Sequence, residues 1–295
     1  MLLLKGHDPR QAVHSVAFAP DGATLASCGL DDTVRLWDLR AGTGQVLAWP
    51  YGYVTRSVAF SPDGGTLAWV SAADVHTCAL ATGERQAVNV GERGYPVFAV
   101  VRYSPDGALL AVAGSDLHLL EVGTWRPRLA WGDIVTGSVA FAPDGRRLAA
   151  GVCRGELPRF EHAVHLFDPA RPEHVGGLPA PRRVTDLAFA PDGATLAGAC
   201  GRSLTVWDMA HSRQLLQHQV GTQSVKSVAF TPDGRFLLVA CNDRSVRVWD
   251  TRSWSEHTAF DWGIGPVETV AVAADGMRAA AGGRSGKIVV WDLDL

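Results

Sequence analysis

An all-β fold, built as a radial ring of seven four-stranded antiparallel sheets, is the architecture that this 295-residue sequence predicts. Three observations carry the prediction. A core pattern V-x-F-x-P-D-G recurs at Val16–Gly22, Val58–Gly64, Val101–Gly107, Val139–Gly145, Leu187–Gly193, Val228–Gly234 and Val270–Gly276. Its aspartates, at 21, 63, 106, 144, 192, 233 and 275, follow one another at spacings of 42, 43, 38, 48, 41 and 42. A period near 40 marks a repeat architecture in which each unit buries its apolar face against its neighbours. In the first unit, short β-branched or alternating segments are separated by turn residues, the pattern of antiparallel strands.

The elements follow in order. Val13–Phe18 alternates apolar and small polar residues and reads as a first strand. Pro20-Asp21-Gly22 is turn chemistry, with Pro fixing φ, Asp capping the turn and Gly supplying positive φ. Leu25–Cys28 is a second strand, Gly29-Leu30-Asp31-Asp32 a second turn, and Thr33–Trp37 a third strand. Val46–Ala48 makes the fourth. The last unit stops after its third strand, Ile288–Asp292, while Leu2-Leu3-Leu4 stand where a fourth strand belongs. Residues 1–5 are therefore expected to pair with 287–292, which removes an exposed edge and makes 1–295 one ring and one domain.

Trp37-Asp38, Trp207-Asp208, Trp249-Asp250 and Trp291-Asp292 close third strands, and Gly6-His7 precedes the first. With the P-D-G turn, these residues resemble the WD-repeat β-propeller family along the whole chain. The resemblance implies a seven-bladed β-propeller. It also implies a hydrogen-bonded set in each blade, which maps in unit one to His7, Ser27, Asp31 and Trp37. Elsewhere the set is eroded. Unit six keeps Asp243 and Trp249, but Val239 replaces the Ser and His218 sits one residue out of register. Cys78, Leu120 and Phe167 replace the Trp in units two to four, so stability must rest on apolar packing.

Composition bounds the function. Apolar residues make up 47% of the chain, ample for a large core, and no run approaches a spanning helix. Met1-Leu2-Leu3-Leu4-Lys5 has no basic n-region and is too short for a signal-peptide core. A net charge of −3 gives no reason to expect nucleic acid or an anionic membrane as a partner. The only lysines are Lys5, Lys226 and Lys287; arginine with abundant Ala and Gly suggests a GC-rich bacterial genome. The five cysteines lack CxxC spacing, and Cys28, Cys153, Cys200 and Cys241 follow the same apolar stretch, as buried residues of a reducing cytoplasm would. A monomer is the default expectation.

Several tempting sites fail on physical grounds. His76, His118 and His165 share one third-strand position on three units, but separate sheets stand about 10 Å apart, while Zn–N bonds need about 2.0–2.1 Å. Arg35 and Arg247 fill the same slot. Gly282–Lys287 has the wrong spacing for a phosphate loop and leads into a strand. The P-D-G aspartates recur one per unit and cannot form a catalytic pair. No cofactor or metal is expected, and no nucleophile elbow or HExxH occurs.

What remains is a loop face. Trp49, Trp131 and Trp262 stand in similar local sequences, eight or nine residues before the repeated Val. They either fill the pocket of His7 or edge onto the inter-blade loops, where Tyr51, Tyr53 and Tyr95 also lie. Unit four carries an insertion, roughly Arg154–His162 with Phe160, expected to project from that face or to be a tolerated surface loop. Arg182-Arg183 is expected either to be a solvated loop or, on the same rim, to hold a partner's carboxylate or phosphate. The expectation is a non-catalytic scaffold that binds a protein or peptide through Trp49, Tyr53, Tyr95, Trp131, Phe160, Arg183 and Trp262. Its alternatives are a structural subunit of a larger assembly, and an enzyme with Asp133, Glu268 and Arg10 at the channel mouth.

Overall fold

The structure is a computed structural model. It describes every residue except 49–53, 72–73, 91–99, 133–134, 157–158, 172 and 295, with backbone alone at 135–136, 156 and 159–160. Seven four-stranded antiparallel sheets form the molecule. Their innermost strands are Val13–Phe18, Thr55–Phe60, Val100–Tyr103, Val135–Phe141, Val184–Phe189, Val225–Phe230 and Val267–Val272. Each touches the innermost strand of the next blade, and the seventh touches the first. We number the blades one to seven by these strands.

Ring closure follows the expectation. Leu2–Lys5 is the outermost strand of blade seven and pairs antiparallel with Lys287–Asp292, Leu2 opposite Val290 and Lys5 opposite Lys287. Leu4 is buried there, among Val13, Trp37 and Ile288. The blade therefore joins the two ends of the chain.

Apolar packing is organised by interface. Seven core clusters occur, and each straddles two adjacent blades. Ala26 and Val34 of blade one meet Val58 and Trp69 of blade two, for example. Blade stability is thus a chain of nearest-neighbour terms closed on itself.

The P-D-G turns are built as their residues dictate. The Asp21 carboxylate accepts from the N–H groups of Ala23 and Thr24, and Gly22 sits at φ 62°. Hydroxyls at Ser61, Ser104 and Thr231 reinforce three turns by donating to Asp63, Asp106 and Asp233.

Blade one carries the complete polar set. His7 Nδ1 lies 2.9 Å from Asp31, His7 Nε2 lies 2.7 Å from Ser27 Oγ, and Trp37 Nε1 donates to the same Oγ at 2.8 Å. Other blades solve the problem differently. In blade five Gly198 takes the Ser position, the Trp207 indole presses into its space, and Nε1 donates to Pro179 O at 3.0 Å. In blade six Asp243 turns to Arg247 and Ser245, and His218 packs edge-on against Trp249 at 4.9 Å. In blade seven the Trp291 N–H has no acceptor among the described residues, because Ala281 stands where blade one has Ser27. Ala281→Ser should therefore raise stability by about 0.5–1.5 kcal/mol. The readout is the denaturant midpoint at constant slope. An unchanged or lower midpoint would show that Trp291 does not take the orientation of Trp37.

Candidate functional site: the channel mouth

Alternation along a strand sends every second side chain to one face, but the innermost strands break it at one point. In six blades the pairing of first and second strands skips one residue two positions before the repeated apolar one. The skipped residues are His14, Arg56, Gly137, Thr185, Lys226 and Glu268. All six line one recess of about 220 Å³ at the end of the central channel. A β-bulge leaves its extra residue unpaired and re-aims the side chain. Here repetition of the bulge brings one residue per blade to a common mouth. The corresponding residue of blade three, Ala99, lies outside the described residues.

One residue further on, five blades carry a hydroxyl: Ser15, Ser57, Ser138, Ser227 and Thr269, with Asp186 in blade five and Val100 in blade three. Ser15 Oγ accepts from Val58 N, Ser57 Oγ from Val101 N, Ser227 Oγ from Val270 N and Thr269 Oγ1 from Val16 N, at 3.2–3.4 Å. Asp186 Oδ2 takes Val228 N at 3.0 Å in the same way. These bonds lace neighbouring blades around the mouth. Asp186 also accepts from its own following amide, Leu187 N, which leaves Ser138 Oγ without a partner among the described residues.

Deeper still, the next inward position is Ala17, Ala59, Ala140, Ala188, Ala229 and Ala271, and in blade three it is Arg102. The lone guanidinium therefore fills channel space that six alanines leave open. Its Nη1 donates to Ser57 Oγ at 3.1 Å and to Val101 O at 2.8 Å. Burial pushes the Asp186 carboxyl above the usual carboxylate range, against the lowering effect of Arg102 and of the donors from Ser227, Val228 and Leu187. Glu268 is held between two cations, Arg284 Nε at 2.5 Å and Lys226 Nζ at 3.6 Å. Burial lowers the His14 pKa, and the positive charges of Arg56, Lys226 and Arg284 lower it further. Below the mouth the channel, about 500 Å³, is walled by Phe18, Phe60, Tyr103, Phe141, Phe189 and Phe230.

The residues expected on the loop face divide. Arg183 is exposed and lines the mouth. Trp131 is half-buried at the end of the outer strand of blade three. Its ring packs on Phe167 at 4.8 Å and His165 at 5.1 Å, with the Arg154 guanidinium over it at 4.8 Å. Trp262 is half-buried too, 4.3 Å from Trp291 and stacked on Phe260. Both indoles meet the third-strand aromatic of the next blade, as His7 meets Trp37, so each serves inter-blade packing. Phe160 falls on a hairpin made by extension of two strands of blade four, Leu148–Glu156 and Arg159–Asp168, paired out to Glu156 and Arg159. That hairpin runs past Val135 and Cys153, the first pair of the inner strand, and so projects at the mouth end. The side chain of Phe160, together with Trp49, Tyr51, Tyr53, Tyr95 and Asp133, lies outside the described residues. Arg10 is exposed, outside the mouth lining.

Sequence reasoning placed Glu268 at the channel mouth but missed the other five bulge residues, Asp186 and Arg102. A signal existed: aligning units on the repeated Val shows one Arg among alanines and one Asp among hydroxyls. The bulge itself left none, because it is a property of pairing between two strands.

Seven four-stranded blades around a central channel define a β-propeller. A family model described as WD domain, G-beta repeat matches residues 1–38, 173–208 and 211–250, each match closing on a Trp-Asp pair. The chain thus carries WD repeats within a seven-bladed propeller. It is 25% identical over 268 residues to Periodic tryptophan protein 2 homolog of Dictyostelium discoideum, covering 88% of this chain and 24% of that protein. It is 24% identical over 227 residues to Protein groucho of Drosophila melanogaster, covering 74% and 29%. Similarity to Target of rapamycin complex subunit wat1 of Schizosaccharomyces pombe is 29% over 116 residues, covering 39% and 37%. The chain thus spans a quarter to somewhat over a third of these relatives' own length.

Proposed function

We propose that this propeller is a non-catalytic scaffold whose loop face, centred on the channel mouth, binds a segment of another protein. The observation that carries the reading is the contrast between neighbouring positions on the inner strands. The apolar and alanine positions repeat from blade to blade, whereas the bulge positions read His, Arg, Gly, Thr, Lys and Glu. A surface that serves only folding has no physical need of six different residues converging on one recess. The hairpin of blade four extends the same face, and the Arg182 and Arg183 charges reach its His162, whose pKa is lowered first by burial and then by those two cations. A reducing cytoplasm of a bacterial cell remains the proposed setting, supported by five free cysteines, four of them buried.

A second reading, a subunit that assembles through its sides, draws on Val175 and Leu215. Both are exposed, on the adjoining outer strands of blades four and five. The Schizosaccharomyces pombe relative, by name a complex subunit, is consistent with it.

Affinity capture from the native lysate separates the two. His14→Ala/Arg183→Ala should release a partner that wild type retains, while Arg40→Ala/Arg146→Ala, at the opposite P-D-G end, should not. Loss on Val175→Ser/Leu215→Ser alone would move the working surface to the blade sides.

A further inference from the structure

We infer that the mouth is an oxyanion receptor, in which Arg56, Arg102 and Arg183 clamp one anionic side chain of an extended peptide. The inference rests on the loop-face reading and specifies the chemistry of its ligand. Five cations, Arg56, Arg102, Arg183, Lys226 and Arg284, stand at or beside the recess against two carboxylates, Asp186 and Glu268. Among the described residues the mouth therefore carries an excess of three positive charges on a chain whose net charge is −3. Such local concentration in a cleft attracts an anion from solution and focuses it on one point.

The two carboxylates do not quench the arginines. Glu268 is occupied by Arg284 and Lys226. Both oxygens of Asp186 are occupied by the donors of Leu187, Ser227 and Val228. Arg56 and Arg183 form no ion pair among the described residues. Among the described residues Arg102 uses only Nη1, and only on a neutral hydroxyl and a carbonyl, so its Nε–H and Nη2 donors remain for a ligand. A guanidinium presents paired donors that match the two oxygens of a carboxylate or phosphoryl group. Three of them converging from blade two, blade three and the loop before blade five form a clamp that no single blade could build.

Size and layout decide what kind of molecule carries the anion. At about 220 Å³ the recess is smaller than the ~300–1,000 Å³ of sites that enclose a whole small ligand. It suits one side chain, with the rest of the chain lying on the loop face. Nucleic acid instead needs several phosphates contacted in line, whereas these arginines line a single recess. A carboxylate and a phosphoryl group on a peptide share the required chemistry.

The test uses the full chain and fluorescent degenerate peptides with a fixed central Glu or phosphoserine, and matched peptides with central Gln or Ser. Anisotropy titrations should show binding of either or both anionic sets, weakening with added salt, and not of the neutral sets. Arg102→Ala should weaken binding by about tenfold or more, the scale of a lost charged bidentate contact. Because that substitution installs the residue six blades already carry, the ring should fold, checked by its melting curve. If it does not fold, Arg183→Ala, exposed and making no side-chain hydrogen bond among the described residues, reads the same loss. Equal binding of neutral peptides, no binding of any anionic set, or indifference to both substitutions would overturn the inference. So would inorganic phosphate matching the peptides' affinity, or a single-stranded RNA exceeding it through the same arginines. Capture lost on mouth substitution with no anionic peptide binding would sink this inference and leave the loop-face reading standing.

Discussion

Trp207→Ala should cost about 3–5 kcal/mol of folding free energy, among the largest losses any single truncation in this ring can produce. The indole is fully buried, between blades four and five, against Val164, Leu178, Val184, Leu187 and Leu196. Its N–H also ties blade five to the outer strand of blade four through Pro179 O. Truncation removes the apolar contact, opens a cavity that β-sheet neighbours cannot collapse to fill, and strips the part-buried Pro179 carbonyl of its donor. Gly198 supplies an internal check. A Cβ there would meet the Trp207 ring at 2.7 Å, so Gly198→Ala should destabilise wild type by about 1–3 kcal/mol through overpacking. In the Trp207→Ala background the same change should be neutral or favourable, because the methyl then enters the cavity. Chemical denaturation of the four proteins of this cycle measures the coupling. Additive losses would show that Gly198 and Trp207 do not share one volume.

Ser27→Ala is expected to cost about 2–5 kcal/mol, more than an ordinary surface-to-core serine change, because it orphans two buried groups at once. Ser27 is completely buried, and Trp37 and His7 nearly so. The geometry fits one proton arrangement: Trp37 Nε1–H donates to Ser27, Ser27 O–H to His7 Nε2, and His7 Nδ1–H to Asp31. Removing the hydroxyl leaves the indole N–H and the imidazole Nε2 without partners. The far end of this chain makes the stability pH-dependent. Burial alone would raise the Asp31 carboxyl, but His7, the Asp8 N–H and the Thr33 hydroxyl outweigh it and hold the pKa down to about 2, against an ordinary 3.8. A depressed carboxyl pKa stabilises the fold above the unfolded value and loses that contribution as pH falls through the folded one. The stake is about 2 kcal/mol. The stability gap between wild type and Asp31→Asn should therefore be widest near neutrality and narrow as pH drops from about 4 towards 2. A gap that does not change with pH would show that His7 and its neighbours are not what holds the carboxyl down.

The two changes probe opposite strategies in one ring. Blade one joins its third strand to its entry loop by polar bonds, while blade five does it with a large ring and a glycine. The seven inter-blade clusters explain why both are tolerated, since each interface is packed by its own apolar residues whatever the polar set does. The same logic accounts for Trp131 and Trp262. Where a blade lacks the His, an indole reaches the neighbouring third-strand aromatic, Phe167 or Trp291, and supplies by area what the imidazole supplies by hydrogen bonds.

Strand order, blade number and the joining of the ends were legible before any coordinates, and for a local reason. Pro20-Asp21-Gly22 and its copies specify turns by their own backbone preferences, Val13–Phe18 and Thr33–Trp37 specify strands by alternation and branching, and repetition carries one unit's reading to the next. His7, Ser27, Asp31 and Trp37 were legible because a complete set survives in a single unit. Of the channel mouth, only Glu268 and Arg183 were. Whether His14, Arg56, Lys226 and Glu268 leave the strand alternation depends on how each inner strand pairs with the second, and a bulge has no residue signature of its own. Nor could spacing show that Arg56, Arg102 and Arg183, spread over more than a hundred residues, share one recess. Local conformational preference, repeated seven times, determined the ring. Convergence at its axis, where side chains from separate blades meet and their charges add, was decided only when the ring closed.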